Sequence, residues 1–182
     1  GCLMINEGKL SEQGLFTSKK DDWQTPQWLF DKLNKHFEFV ADVCATNQNT
    51  KCDIYFDKNK SCLEHDWFEC NFMNPPYGRG IGKFIEKAYW QWWDNDCTTV
   101  SVLPARTDTK WFHSFIYNKA DITFMKGRLK FEGGHILAPA PFPTMIVIWW
   151  GSSYLNNGKY LSNEKMQEFI NSDEKQVNLK LD

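Results

Sequence analysis

The sequence predicts an α/β domain on a mixed, mostly parallel sheet with helices on both faces. Three observations carry this. Strand-like runs alternate with helix-spaced apolar stripes through the first 118 residues. The strand runs are apolar and β-branched throughout, as strands covered on both faces are. The chain has 182 residues, 42% of them apolar, which is enough for one core of ordinary size and too little for two.

The first twenty residues show no period and read as a loose arm. Thr25-Pro26 reads as a helix start, with Thr25 as cap and Pro26 in the first turn, because Leu29, Phe30, Leu33 and Phe37 follow at helical spacing. Residues 37–44 read as a buried strand ending near Asp42, 47–50 as a polar turn, 52–56 as a second strand ending at Asp57, and 71–73 as a third ending at Asn74. After a glycine-rich turn at 78–82, Ile81, Phe84, Ile85, Ala88, Tyr89 and Trp92 make the clearest helical stripe in the chain. Then follow a strand over 98–103, a helix over 107–117, a strand over 121–126, a short apolar run at 129–131, a Gly- and Pro-rich loop over 132–143, and a strongly apolar strand over 144–150. The pattern divides the chain into the arm 1–20, a main domain 21–150 and an extension 151–182 with one short helix near 163–170.

Composition excludes several classes. Mean hydropathy is −0.55 and no apolar run approaches a membrane span, so no membrane partner is expected. The amino end lacks the blocks of a secretory signal, which predicts a cytoplasmic protein. Six cysteines without a C-x-x-C pair, and four scattered histidines, predict reduced thiols and no metal site. The net charge of −2 argues against a surface that is basic all over. Yet residues 79–131 carry nine basic and five acidic groups, while both flanking segments are net negative. That middle third holds the nucleic-acid candidates Arg79, Lys83, Arg106, Lys110, Arg128 and Lys130, which would meet phosphates and fix register without reading sequence.

Parallel α/β sheets bind ligands beyond the carboxyl ends of their strands, and Asp42, Asp57, Asn74 and Arg106 all fall there. The sharpest signal is Asn74-Pro75-Pro76-Tyr77, directly after an apolar strand. It matches the motif of amino-group methyltransferases. An exocyclic amino group is a poor nucleophile because its lone pair is shared with the ring. The Asn74 amide oxygen and the Pro75 carbonyl, held by the rigid Pro76 that follows, would each accept one of its hydrogens and let the nitrogen pyramidalise. Tyr77 would stack on the base, a contact worth about 1–3 kcal/mol, against the few kcal/mol needed to extract a base from a duplex. On the donor side, Asp42 would take an ammonium, Asp57 ribose hydroxyls, and Asp66-Trp67 an adenine ring. No glycine-rich phosphate loop follows Asp42, which suits a donor without phosphate, S-adenosylmethionine.

The runs Asp22-Trp23-Gln24-Thr25-Pro26, Asp42-Val43-Cys44-Ala45-Thr46, Asn74-Pro75-Pro76-Tyr77-Gly78, Leu103-Pro104-Ala105-Arg106-Thr107-Asp108-Thr109 with Trp111-Phe112, and Gly127-Arg128-Leu129-Lys130-Phe131 resemble, in order, the phage-type DNA N-6-adenine-methyltransferase family. The resemblance covers roughly residues 21–150. It implies a Rossmann-like methyltransferase fold, S-adenosylmethionine as donor, and adenine in duplex DNA as acceptor. It implies a site-specific phage or prophage enzyme that flips its target base and transfers the methyl directly in line. It also implies that Trp23, Thr25 and Pro26 pack on the donor's methionine end, and that Cys44, where the family pattern has Ala, and Ala45 line the donor site. Alternatives with the same donor are RNA adenine, the cytosine N4 amino group or a protein glutamine amide as acceptor; a further alternative is an inactive phage DNA-binding module. Partner subunits, as in a helix-packed homodimer, or loop 132–143 with His135 would supply target choice.

Overall fold

The computed structural model describes residues 22–133 and 139–172; the arm expected over 1–20, His135 and residues 173–182 of the extension lie outside these. In chain order the elements are α1 (Gln27–Phe37), β1 (Ala41–Asp42), β2 (Ile54–Tyr55), a 3-10 turn (Cys62–Glu64), β3 (Cys70–Met73), α2 (Ile81–Asn95), β4 (Thr98–Pro104), α3 (Lys110–Phe115), β5 (Asp121–Phe124), β6 (Thr144–Trp149), α4 (Ser152–Asn156) and α5 (Asn163–Asn171). The strands form one sheet in the order β2-β1-β3-β4-β6-β5. The first four are parallel, and β6 runs antiparallel to both β4 and β5. β3, β4 and β6 form the centre of the sheet, and the residues of all three are buried without alternation.

Helices cover both faces. Trp149 and Trp150 point opposite ways: the Trp149 indole donates to the Phe115 carbonyl at the end of α3 (2.9 Å), whereas the Trp150 ring packs 5.5 Å from Phe37 of α1. On the α1 face, Phe30 meets Phe72 of β3 edge-on, the Tyr154 hydroxyl of α4 donates to the Phe37 carbonyl, and Lys32 donates to the carbonyl and hydroxyl of Ser172 just beyond α5. Met166 and Ile170 of α5 are buried in the same core as the sheet.

Several elements differ from the sequence reading: the extension carries two helices, α4 and α5, where one near 163–170 was expected, and the helix over 107–117 and the strand over 121–126 shorten to α3 and β5. Pro26, not Thr25, is the cap of α1: its ψ of 142° is extended, and its carbonyl accepts from Leu29 and Phe30. The strand expected from residue 37 shrinks to β1, because Phe37 closes α1 and Glu38 turns left-handed (φ 52°) to donate its N–H to Asn34. The run 129–131 forms no strand; Lys130 makes only an isolated bridge to Pro139. Ser/Thr side chains cap other helix starts: the Thr109 hydroxyl accepts Phe112 N–H at α3 and the Ser162 hydroxyl accepts Lys165 N–H at α5.

Candidate active site

From β1 the chain moves outward to β2 and then returns across β1 to β3. The carboxyl ends of β1 and β3 therefore flank the topological switch point, where the loops after them part. A cleft of about 690 Å³ opens there, within the roughly 300–1,000 Å³ usual for small-molecule sites. Its wall combines the strap Asp22–Thr25, the turn after β1 (Asp42–Asn49 and Lys51), the end of β2 (Tyr55–Asn59), Cys62 and Asn74–Pro76.

Asp42 lies at the floor, 3% exposed. Its Oδ1 accepts from Cys44 N–H (3.3 Å) and its Oδ2 from Lys51 N–H (3.0 Å), so a carboxylate closes the turn that β1 opens. Burial raises its pKa from 3.8 to about 7, and those two N–H groups and the Lys51 charge oppose the rise only in part. The turn itself is polar and self-satisfied: Thr46 N–H donates to Asn49 Oδ1, and Thr46 Oγ1 accepts from Gln48 and Asn49. Asp57 stands on the wall after β2, with Oδ1 accepting from Asn59 (2.8 Å) and Lys60 (3.0 Å). Cys44 and Cys62 both line the cleft, and burial holds the Cys44 thiol well above its ordinary range, so Cys44 adds no charge to the wall. Ala45 joins the wall and ties its N–H to the Phe56 carbonyl (3.0 Å).

Asn74 behaves differently. Its Nδ2 donates to the Trp23 carbonyl (2.6 Å), 51 residues away, while its Oδ1 is buried and has no hydrogen-bond partner. A carbonyl can only accept, so Trp23 dictates which end of the amide faces which way. Buried acceptors are almost always satisfied, which makes an orphaned one on a cleft wall a site awaiting a donor. Thr25 is the second case: its hydroxyl, expected to cap α1, is buried on the same wall without a partner. Trp23 lies edge-on to Phe131 (5.6 Å) and Phe142 (5.3 Å).

Not every expected residue reaches the cleft. Pro75 and Pro76 line it, but Tyr77 is 3% exposed, donates its hydroxyl to the Val102 carbonyl (2.6 Å) and meets Phe131 and Phe142 edge-on. The free ring face expected of Tyr77 is covered, because the turn after β3 folds its side chain back onto β4. Pro26 is buried behind the strap and does not line the cleft. Asp66 and Trp67 also lie elsewhere. The Asp66 carboxylate accepts from Gln91 and Asn95 of α2 (both 3.1 Å), and buried Trp67 donates its indole N–H to the Cys62 carbonyl (2.9 Å). The pair braces the 3-10 turn against α2, and the wall that Asp66-Trp67 was expected to form is made by Asp57–Asn59 and Cys62 instead. Lys51, Asn49 and Gln24 are wall residues to which the sequence reading gave no role; the polar 47–50 turn signalled Asn49, the run 22–26 contained Gln24, and nothing local signalled Lys51.

Arg79, Lys83, Arg106, Lys110, Arg128 and Lys130 are all exposed. Four of them follow the carboxyl ends of β3 and β4 closely: Arg79 and Lys83 after Asn74, Arg106 and Lys110 after Pro104. Among the described residues the single ion pair is Lys159 with Glu38, so none of the six is neutralised by a described carboxylate. Arg106 lies over the Phe142 ring at 5.8 Å.

The family described as DNA N-6-adenine-methyltransferase (Dam) matches residues 13–150. The chain belongs to that family. Its sheet is accordingly a Rossmann-like methyltransferase sheet, and the matched span ends with the last strand, β6, and the residue after it. A DNA N-6-adenine-methyltransferase of Haemophilus phage HP1 (strain HP1c1) is 30% identical over 160 residues, covering 83% of this chain and 92% of the phage protein. The protein of the same description from Escherichia phage T1 is 28% identical over 113 residues, 60% of this chain and 47% of the T1 protein, so the chain spans about half of that relative. No described helix is long and apolar enough to cross a membrane.

Proposed function

We propose that the protein transfers a methyl group from S-adenosylmethionine to the exocyclic N6 amino group of adenine in DNA. The observation that carries the reading is the buried, partnerless Asn74 Oδ1 at the carboxyl end of β3, facing a cleft of small-molecule size. Family membership supplies the acceptor class.

The residues present suit such a donor. The cleft offers three carboxylates, Asp22, Asp42 and Asp57, a free buried hydroxyl on Thr25 and an apolar Cys44, Ala45 and Phe56 wall, with no glycine-rich phosphate cradle. In this reading Asp42 takes the ammonium, Asp57 the ribose hydroxyls, and Trp23 and Thr25 the methionine end. S-adenosylmethionine supplies, when bound, an electrophilic methyl on a sulfonium centre.

Everything else falls to the chain. Asn74 Oδ1 accepts one hydrogen of the adenine amino group and the Pro75 carbonyl the other, so that the nitrogen gains tetrahedral character and its lone pair becomes available. The same acceptors favour the positive charge that develops there. Holding base and donor in one cleft removes most of the entropic barrier. The base arrives extruded from its duplex, and the cations after β3 and β4 hold the flanking phosphates. Tyr77 anchors the turn to β4; its ring meets the base only where the half-buried Phe142 withdraws.

The test is direct. Incubate the protein with methyl-labelled S-adenosylmethionine and duplex DNA, RNA or a protein extract, and digest the product to nucleosides. N6-methyladenine from DNA is expected. Label confined to RNA, to cytosine N4 or to protein glutamine, or no label despite donor binding, overturns the reading.

A further inference from the structure

Helix α1 starts without the usual devices. Its cap is Pro26, which has no side-chain acceptor, and its first turn has no acidic residue. The missing acceptor comes from 105 residues away, where Glu132 Oε1 accepts the Gln27 N–H at 3.2 Å. The Glu132 backbone also pairs with Gln24 in both directions: Gln24 N–H donates to the Glu132 carbonyl (3.1 Å), and Glu132 N–H to the Gln24 carbonyl (2.8 Å). The next residue, Gly133, takes φ +85°, and a Cβ there would lie 2.5 Å from the Gln24 side chain, so the two segments touch closely. One residue before Glu132, the Phe131 ring meets Trp23 edge-on. Residues 131–133 thus clasp the strap 23–27 at each successive position, and this strap carries the carbonyl that orients Asn74.

We infer that Glu132 is a positioning residue for methyl transfer: by fastening the Trp23-Gln24 strap to the start of α1, it keeps the Trp23 carbonyl on Asn74 Nδ2 and so keeps Asn74 Oδ1 aimed at the substrate amino group. The inference rests on the reading of Asn74 as amino-group acceptor. Glu132 touches neither substrate, and its side chain is exposed. Its effect passes through a single amide that can be turned either way. Loss of the clasp lets the strap shift, and an amide turned by half a rotation presents a donor where the substrate also has a donor.

The test compares Glu132→Ala with Glu132→Gln, which keeps an acceptor for Gln27 N–H, in single-turnover methylation of DNA. Glu132→Ala is expected to lower the rate about tenfold. Glu132→Gln should restore it to within about twofold; the rate is read at saturating donor, because Trp23 and Thr25 of the strap line the donor cleft and a shifted strap lowers donor affinity as well. The discriminating step repeats Glu132→Ala on an Asn74→Asp background. Asp offers acceptor oxygens only and cannot donate to the Trp23 carbonyl, so the strap no longer orients it, and Glu132→Ala should then cost less than about twofold. Should Glu132→Ala not fold, Gln27→Pro removes the same donor N–H at a helix position that accepts proline, after a residue whose ψ of 142° already suits one. The same dependence on the residue at position 74 is expected of it, together with a further loss of donor affinity from the lost Gln27–Lys51 bond. An unchanged rate in Glu132→Ala, or an equal loss in both backgrounds, overturns the inference. If Asn74→Ala retains wild-type turnover, or adenine in DNA is not methylated, the underlying reading fails instead.

Discussion

The two rims that meet at the switch point are built differently. On the β1 side, polar groups are satisfied by their own neighbourhood: Asp42 by the N–H groups of Cys44 and Lys51, Asp57 by those of Asn59 and Lys60. On the β3 side, Asn74 is held by a carbonyl 51 residues away, with its acceptor left open. A rim of closed local loops suits recognition of a small donor. A rim with an unmet acceptor suits a group whose electronic demand changes during reaction. In the proposed function the first is the donor-binding surface, and the second is where differential stabilisation acts.

The strongest way to break this division is Asn74→Ala. It should lower the single-turnover rate by about 100-fold or more, while donor affinity, measured by calorimetry, stays within about threefold. If donor affinity falls as far as rate, the rims do not divide the work. The converse change is Asp42→Asn, which should weaken donor binding about thirtyfold through loss of charge-assisted hydrogen bonds, with kcat at saturating donor much less affected.

Asp42 also gives the division a pH signature. In the proposed function the donor's ammonium pairs with the Asp42 carboxylate, whose pKa burial pushes up to about 7. Donor affinity should therefore fall about tenfold per unit as pH drops below about 7, and Asp42→Asn should flatten that slope. The same shift acts on folding with the opposite sense to a salt-bridged carboxylate. The folded pKa of about 7 exceeds the ordinary 3.8, so the folded state binds the proton more tightly. The Asp42 contribution to stability is fully present below about 4 and is lost as pH rises towards about 7, which the difference in urea midpoint between wild type and Asp42→Asn, compared at pH 4.5 and 7.5, would read.

Smaller effects sharpen the picture. Tyr77→Phe leaves the buried Val102 carbonyl without its donor, and should lower stability by about 1–3 kcal/mol with little change in donor affinity. Arg106→Ala should weaken DNA binding a few-fold on every sequence and reduce the salt slope by about 1, leaving donor binding untouched. A sequence-dependent loss would assign Arg106 to base edges instead.

Much of this was legible before any coordinates. The stripe from Ile81 to Trp92 became α2, the apolar run 98–103 became β4, and Asp42, Asp57 and Asn74 fell at the rim because strand ends are readable from local pattern. The site and cap assignments that failed did so for one reason. Asp66 is spoken for by Gln91 and Asn95, Tyr77 by Val102, and the start of α1 by Glu132 rather than Thr25. Each is a hydrogen bond between distant parts of the chain, and a side chain's type does not tell whether its partner is solvent, ligand or another segment.

The sequence by itself therefore determined most of the strands and helices up to β6 and, to within a residue or two, where the strands end, since periodicity and turn chemistry act over a few positions. Only the tertiary structure decided which of those residues are already satisfied and which remain open. Hydrogen-bond completion is settled by whatever the fold brings within 3 Å or so, and for Asn74 that is one carbonyl and an empty lone pair.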